Sequence, residues 1–407
     1  MAPRICFIVG ARPNFMKSAP VYQGLAQSRA DVELVLVHTG QHYDAAMSSV
    51  FIDELGMPEP HLFLGVGSGS HAEQTARALV RVEQMLLEQR PSVVVVAGDV
   101  NSTLAAALAA AKLGIPIAHI ESGLRSFDES MPEEANRRLT DHLSRILLVH
   151  SASALENLQR EGIDAQRVHL VGNTMIDSVL LHLSAAEALQ PWLPFGVAPG
   201  EFGLVTLHRP TLVDDPPLLR ATVQALCELA DDVPILFPVH PRTRARIEES
   251  GVHAGEAASG LRITEPLGYL AFLGLEAAAA FVLTDSGGVQ EETSALGVPC
   301  FTFRENTERP VTVELGTNTL LGVRPDRIRE IPRLLRCTGR PAEIPLWDGH
   351  AGKRAAGVLR DFVVDGRPPR GGGVAEPVLT EEAGRSEAIR RPGHRITADR
   401  LRRHPEP

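Results

Sequence analysis

Two cations five residues apart follow the first apolar run, in Gly10-Ala11-Arg12-Pro13-Asn14-Phe15-Met16-Lys17. A glycine at a strand end that leads into a helix aims backbone N–H groups and the positive end of the helix dipole outward. Arg12 and Lys17 placed there suit an anionic ligand. The stretch is neither Gly-x-Gly-x-x-Gly nor a P-loop, so conventional dinucleotide or ATP binding is not indicated. Only three of the 40 basic residues are lysines (Lys17, Lys112 and Lys353), which singles out Lys17, since lysine and arginine differ in shape and hydration.

Three carboxylates follow. Asp99 lies in Gly98-Asp99-Val100-Asn101-Ser102-Thr103, directly after the apolar Val93–Ala97. Glu121 lies in His119-Ile120-Glu121-Ser122-Gly123-Leu124-Arg125, again at a strand end, where an acid is costly to bury without a purpose. Glu133 opens a helix at a proline in Met131-Pro132-Glu133-Glu134-Ala135-Asn136-Arg137. Asp99 also suits a helix cap, and Glu133 a helix start favoured by the dipole. Three such acids within 35 residues are better explained as a general acid/base cluster.

The second half carries its own groups. His208 and Arg209 follow Leu204–Leu207, and His240 follows Pro238-Val239; both sites end strands, where an active site of an open α/β sheet collects its groups. No histidine spacing points to a metal. The most distinctive stretch is Leu283-Thr284-Asp285-Ser286-Gly287-Gly288-Val289-Gln290-Glu291-Glu292. Its Ser-Gly-Gly turn lets a pyrophosphate approach the backbone at a helix N-terminus, and Glu292, one turn on, can accept hydrogen bonds from ribose hydroxyls. Thr307-Glu308-Arg309-Pro310 then adds a further charge.

The elements that must position these groups are read from short apolar runs spaced by amphipathic helices, which predict βαβ units and parallel sheets. One strand series is Ile5–Val9, Val32–His38, Ser92–Ala97, Pro116–Ile120, Ile146–Val149 and Val168–Val171. A second is Phe202–Leu207, Pro234–Val239, Leu261–Thr264, Ala280–Thr284, Pro299–Phe303 and Thr319–Leu321, after an Ala- and Pro-rich linker at Ala186–Gly200. The reading is an α/β protein of two Rossmann-like domains, 1–180 and 181–364, facing a central cleft. The last helix is expected to pack back on the first domain. Residues 365–407 are expected to form a disordered tail, since Gly366–Pro407 has nine arginines against six acids and almost no apolar periodicity.

Composition narrows the partners. A net charge of −10 in 407 residues, with 4% aromatics, argues against nucleic acid. No apolar run approaches the roughly 18 residues that span a bilayer, and the first strand is too short for a signal-peptide core. The four cysteines have no zinc or disulfide spacing. A cytoplasmic protein without metal or membrane partner is expected.

Taken together, the six ordered motifs resemble the non-hydrolysing UDP-N-acetylglucosamine 2-epimerases, from about residue 3 to about residue 360. The resemblance implies the GT-B architecture, a homodimer and no cofactor. It also implies exchange of UDP-GlcNAc and UDP-ManNAc for cell-surface polysaccharide synthesis, by eliminating UDP to a 2-acetamidoglucal and adding it back. Matched onto this chain, the catalysis- and substrate-linked positions are Arg12, Lys17, Asp99, Glu121, Glu133, Arg137 and His208. The UDP-binding positions are Phe272, Ser286, Gly287, Gly288, Glu292 and Arg309, with Arg209 and His240 as further substrate contacts. Leu267 replaces a glutamine common in the family, and Gln41-His42-Tyr43-Asp44 is similar to a branch that includes enzymes for UDP-2,3-diacetamido-glucuronic acid. A GT-B glycosyltransferase would share the nucleotide motif but would not need three clustered acids. Hydrolysing epimerases carry Arg-Ala/Ser-Asp-Tyr-Gly where this chain has Arg12-Pro13-Asn14-Phe15.

Overall fold

A run such as Val93–Ala97, with every side chain buried, cannot lie in a sheet that has one wet face, and both sheets here are parallel. The structure, a computed structural model, describes residues 2–28, 31–40, 56–249, 260–337 and 341–365. Gln41–Asp44 and the expected tail at 366–407 lie outside the described residues. No helix among the described residues is long and apolar enough to cross a membrane.

The first seven strands are β1 (Arg4–Val9), β2 (Glu33–His38), β3 (Leu62–Phe63), β4 (Val93–Ala97), β5 (Ile117–Ile120), β6 (Ile146–Val149) and β7 (Val168–Leu170). They form one sheet in the order β3-β2-β1-β4-β5-β6-β7, all pairs parallel. The next six are β8 (Gly203–Thr206), β9 (Ile235–Pro238), β10 (Leu261–Thr264), β11 (Phe281–Thr284), β12 (Cys300–Thr302) and β13 (Asn318–Leu320). Their order is β10-β9-β8-β11-β12-β13, again parallel throughout. Both sheets share the doubly wound order. The two-residue β3 is an addition to the expected strands and is too short to leave a periodic signal.

This order decides where chemistry can sit. In a doubly wound sheet the winding reverses between two neighbouring strands, and the loops leaving their carboxyl ends diverge to form a ligand crevice. In the first sheet those strands are β1 and β4, which deliver Arg12 and Asp99. In the second they are β8 and β11, which deliver His208 and Ser286.

The chain divides into two units. The first comprises Met1–Ser184, Thr307–Leu315 and the stretch from Ala342 through the last helix. The second comprises Ala185–Asn306 and Gly316–Pro341. Thr307–Leu315 thus leaves the second strand series and joins the first unit. The last helix, Ala351–Asp365, packs along the first, Arg12–Gln27. At Gly352 a Cβ would lie 2.5 Å from the Pro20 Cβ, so only glycine permits this approach. Buried Asp177 accepts the helix's first free amides, from Ala351 at 3.1 Å and Gly352 at 2.6 Å. Asp177→Ala is expected to lower stability by about 0.5–2 kcal/mol, the usual range for a lost cap. A urea midpoint equal to the parent's would show that the cap does not anchor this helix.

Candidate active site

In the first unit the turn after β1 is tied to β4 through one side chain. Asn14 Oδ1 accepts from the Gly10 and Ala11 amides at 3.1 and 3.0 Å, while its Nδ2 donates to the Ala97 carbonyl at 2.7 Å. Lys17, one turn into the helix, is buried and donates to Glu121 Oε2. Gly98 has φ +66°, and a Cβ there would sit 3.0 Å from Lys17 Nζ and 3.4 Å from Glu121 Oε2. The glycine therefore leaves room for this pair. Arg12 stays exposed at the helix start.

Glu121 itself has φ +67°, a left-handed conformation that costs a non-glycine residue roughly 1–2 kcal/mol. The surroundings hold it there. The amides of Glu121 and Ser122 both donate to the Leu148 carbonyl at 3.1 and 3.2 Å. Arg309 donates to Glu121 Oε1 at 3.1 Å, so the carboxylate is gripped by two cations.

A second grip adjoins the first. Arg137 reaches Asp99 and Glu134, each at 2.6 Å, and lies 3.9 Å from Glu308, which is 3.3 Å from Arg309. The result is one continuous network, Lys17–Glu121–Arg309–Glu308–Arg137, ending on Asp99 and Glu134, with three cations and four carboxylates. Within it Asp99 has the most exposed side chain, at 23%, against 8% or less for the others. Glu133 is half-buried and makes no side-chain hydrogen bond or ion pair among the described residues.

Several groups had not been picked out from sequence. Glu134, not its neighbour, is the buried acid of the helix Pro132–Leu143. Burial alone would raise its pKa, but the Ser126 amide and hydroxyl, with Arg137, hold the carboxyl below the usual range. His119 is fully buried, with Nδ1 2.7 Å from Asp141 and Nε2 2.8 Å from the Gly98 carbonyl. A carbonyl only accepts, so His119 donates there and fixes the peptide before Asp99. Asp141 also meets Arg125 at 2.8 Å and the Gly123 amide at 3.0 Å. Burial pushes its carboxyl up, yet His119 and Arg125 outweigh this and hold it below the ordinary range.

In the second unit Asp285 organises the turn after β8. It accepts from the His208 and Arg209 amides at 2.9 and 2.8 Å and lies 3.1 Å from His208 Nδ1. Desolvation opposes the imidazolium, but the hydrogen bond and charge of Asp285 prevail and raise the His208 pKa. The His208 ring stays exposed. Ser286 occupies the cap position of the helix Gly287–Leu296, yet its hydroxyl does not bond to the helix start. Gly287, Gly288 and Phe272 are half-buried, and Glu292 is buried. His240 is exposed, and no hydrogen bond or ion pair among the described residues joins it to the other candidates.

Comparison with known proteins gives a consistent result. A family model described as UDP-N-acetylglucosamine 2-epimerase matches residues 25–360. The chain is 41% identical to a UDP-N-acetylglucosamine 2-epimerase of Methanocaldococcus jannaschii, over 88% of this chain and 98% of that one. A crystal structure of the M. jannaschii UDP-GlcNAc 2-epimerase in complex with UDP-GlcNAc and UDP superposes with a TM-score of 0.81, covering 88% and 99% of the two chains. A UDP-2,3-diacetamido-2,3-dideoxy-D-glucuronate 2-epimerase of Pseudomonas aeruginosa is 43% identical over 81% of this chain and 91% of that one. A Polygonum tinctorium UDP-glucosyltransferase, 13% identical with a TM-score of 0.54 over 92% of this chain and 99% of that one, shares the fold alone, in keeping with a GT-B-like arrangement. By the family model and by these relatives, the chain belongs to the UDP-N-acetylglucosamine 2-epimerase family.

Proposed function

We propose that this protein interconverts UDP-N-acetylglucosamine and UDP-N-acetylmannosamine. A carboxylate of the first unit takes the C2 proton, the C1–oxygen bond to UDP breaks with its electron pair leaving on UDP, and a C1–C2 double bond forms. Re-addition of UDP, with a proton delivered to the other face of C2, gives the epimer. The observation that carries this reading is that Asp99, at the winding reversal of the first sheet, and Glu121, at the end of the neighbouring strand β5, share one charge network. Asp99 is its most exposed member, and of the three candidate acids Glu133 makes no ion pair among the described residues. Family membership and the M. jannaschii complex support the substrate class.

The roles follow from chemistry. Asp99, Glu121 and Glu133 exchange protons with C2, a step usually worth about 10²–10⁴ in rate. His208, its pKa raised by Asp285, and Arg12, Lys17, Arg137, Arg209, His240 and Arg309 contact the substrate or steady the charge on departing UDP. Ser286, Gly287 and Gly288 hold the pyrophosphate, and Glu292 and Phe272 the nucleoside. Turnover in heavy water should place deuterium at C2 and release a little 2-acetamidoglucal. Epimer formed without deuterium at C2 would exclude proton abstraction there.

The P. aeruginosa relative supports a second reading, C2 epimerisation of UDP-2,3-diacetamido-2,3-dideoxy-D-glucuronate. Following both UDP-sugars side by side by NMR decides between them.

A further inference from the structure

Two side chains hold the main chain of Ser286, the residue from which the helix Gly287–Leu296 starts. The Thr284 hydroxyl accepts from the Ser286 amide at 2.9 Å, and Gln290 Nε2 donates to the Ser286 carbonyl at 3.1 Å. Behind Gln290 stands Asn318 on β13, whose Nδ2 donates to Gln290 Oε1 at 3.0 Å. Asn318 Oδ1 in turn accepts from the Thr302 hydroxyl, on β12, at 2.6 Å. Thr284, Gln290 and Thr302 are fully buried, and Asn318 is buried too. One hydrogen-bonded line thus runs from β12 through β13 to the start of the helix, all within the second unit.

The line has a single direction. A carbonyl only accepts, so the Gln290 amide must turn its NH2 group to Ser286 and its oxygen to Asn318. Asn318 must then present NH2 to Gln290 and oxygen to Thr302, whose hydroxyl is left to donate. Each amide is therefore held in one of its two orientations by its neighbour. Turned over, Gln290 would set its oxygen against the Ser286 carbonyl, in a buried place where two facing acceptors are costly. With its amide and carbonyl both engaged inside the fold, the Ser286 backbone is held against rotation. Its hydroxyl makes no cap bond, and the amides of the first helical turn have no partner within the helix.

We propose that Gln290, Asn318 and Thr302 are positioning residues that fix the Ser286 carbonyl, and so set the Gly287 and Gly288 amides for the pyrophosphate of a uridine diphosphate. This rests on the pyrophosphate role given to that turn above. The three residues act through the Ser286 backbone and not by contact with the ligand.

Hydrogen exchange of the ligand-free protein and calorimetric titration with UDP and uridine test the two parts separately. Asn318→Asp offers Gln290 an acceptor in place of a donor, and amide exchange over residues 286–292 should quicken about 10-fold. Thr302→Val loses the last donor and should show about a threefold gain, while Thr302→Ser keeps the donor and should match the parent. Parent-like exchange in both Asn318→Asp and Thr302→Val overturns the line, whatever the turn binds. Asn318→Asp should also bind UDP about 10-fold more weakly, with the loss in KM rather than kcat. Uridine lacks the phosphates, so its affinity should stay within about twofold of the parent's. Equal losses for UDP and uridine, or parent-like UDP binding, overturn the positioning role. Adding Asn318→Asp to Gln290→Met should cost no more UDP affinity than Gln290→Met alone, and additive losses would show that the two act independently. Parent-like UDP binding by Gly288→Val would instead remove the pyrophosphate reading beneath it, and the exchange result would still stand.

Discussion

Asp99→Asn should lower epimerase turnover by about 10²- to 10⁴-fold, the span expected when a general acid or base is neutralised. The substitution keeps the shape of the side chain, and Arg137 keeps Glu134 at 2.6 Å, so the network should survive without its most exposed charge. UDP affinity should fall much less, because Ser286, Gly287, Gly288 and Glu292 lie in the other unit. Glu121→Gln should cost a similar factor, since its carboxylate is gripped by both Lys17 and Arg309. Steady-state rates with UDP-GlcNAc, paired with UDP titrations, separate the two effects. If Asp99→Asn turned over within tenfold of the parent, Asp99 would not be transferring the proton.

The largest stability effect is expected at Asp141, which no part of the chemistry touches. Asp141→Ala leaves His119 and Arg125 buried without their shared partner and removes the acceptor of the Gly123 amide. Breaking a buried pair costs about 3–5 kcal/mol when the surviving charge is left alone, and the lower end is expected here because Arg125 keeps Glu161 through two 2.7 Å hydrogen bonds. The loss should also reach catalysis, since His119 carries the Gly98 carbonyl next to Asp99. Asp141 adds a pH signature. Its carboxyl is held below the usual range, so its contribution is complete above about pH 4 and fades as pH falls through the lowered value. The parent should therefore lose stability on acidification more steeply than Asp141→Ala. Urea titrations at several acidic pH values would show it, and a loss under about 1 kcal/mol would refute the argument.

Much of this architecture was legible because fully buried parallel strands are short and continuously apolar. Val93–Ala97 and Phe281–Thr284 stand out by composition, and the polar residues that follow them mark the strand ends where groups collect. Side-chain partners were not legible in the same way. Glu133 and Glu134 are adjacent and identical in type, and only the packing of Ser126 and Phe127 decides which is buried. Asp141 sits in a largely polar helix, where nothing in its type separates it from a solvated acid. Arg309 was read with the nucleotide turn, yet it pairs with Glu121, 188 residues away.

That distance bears on how the chain is made. A ribosome releases the protein from the N-terminus, and domains commonly fold in that order, each as it emerges. The first unit cannot finish this way. Glu121 and Arg137 emerge long before Arg309 and Glu308, and the helix that Asp177 caps comes later still. All strands of the second sheet are synthesised before the last helix of the first unit exists. Until then the nascent first unit carries Glu121 without Arg309 and the Pro20 surface without its covering helix. Its completion waits for Ala351–Asp365, made after the whole second sheet, to return and close what the first strands began.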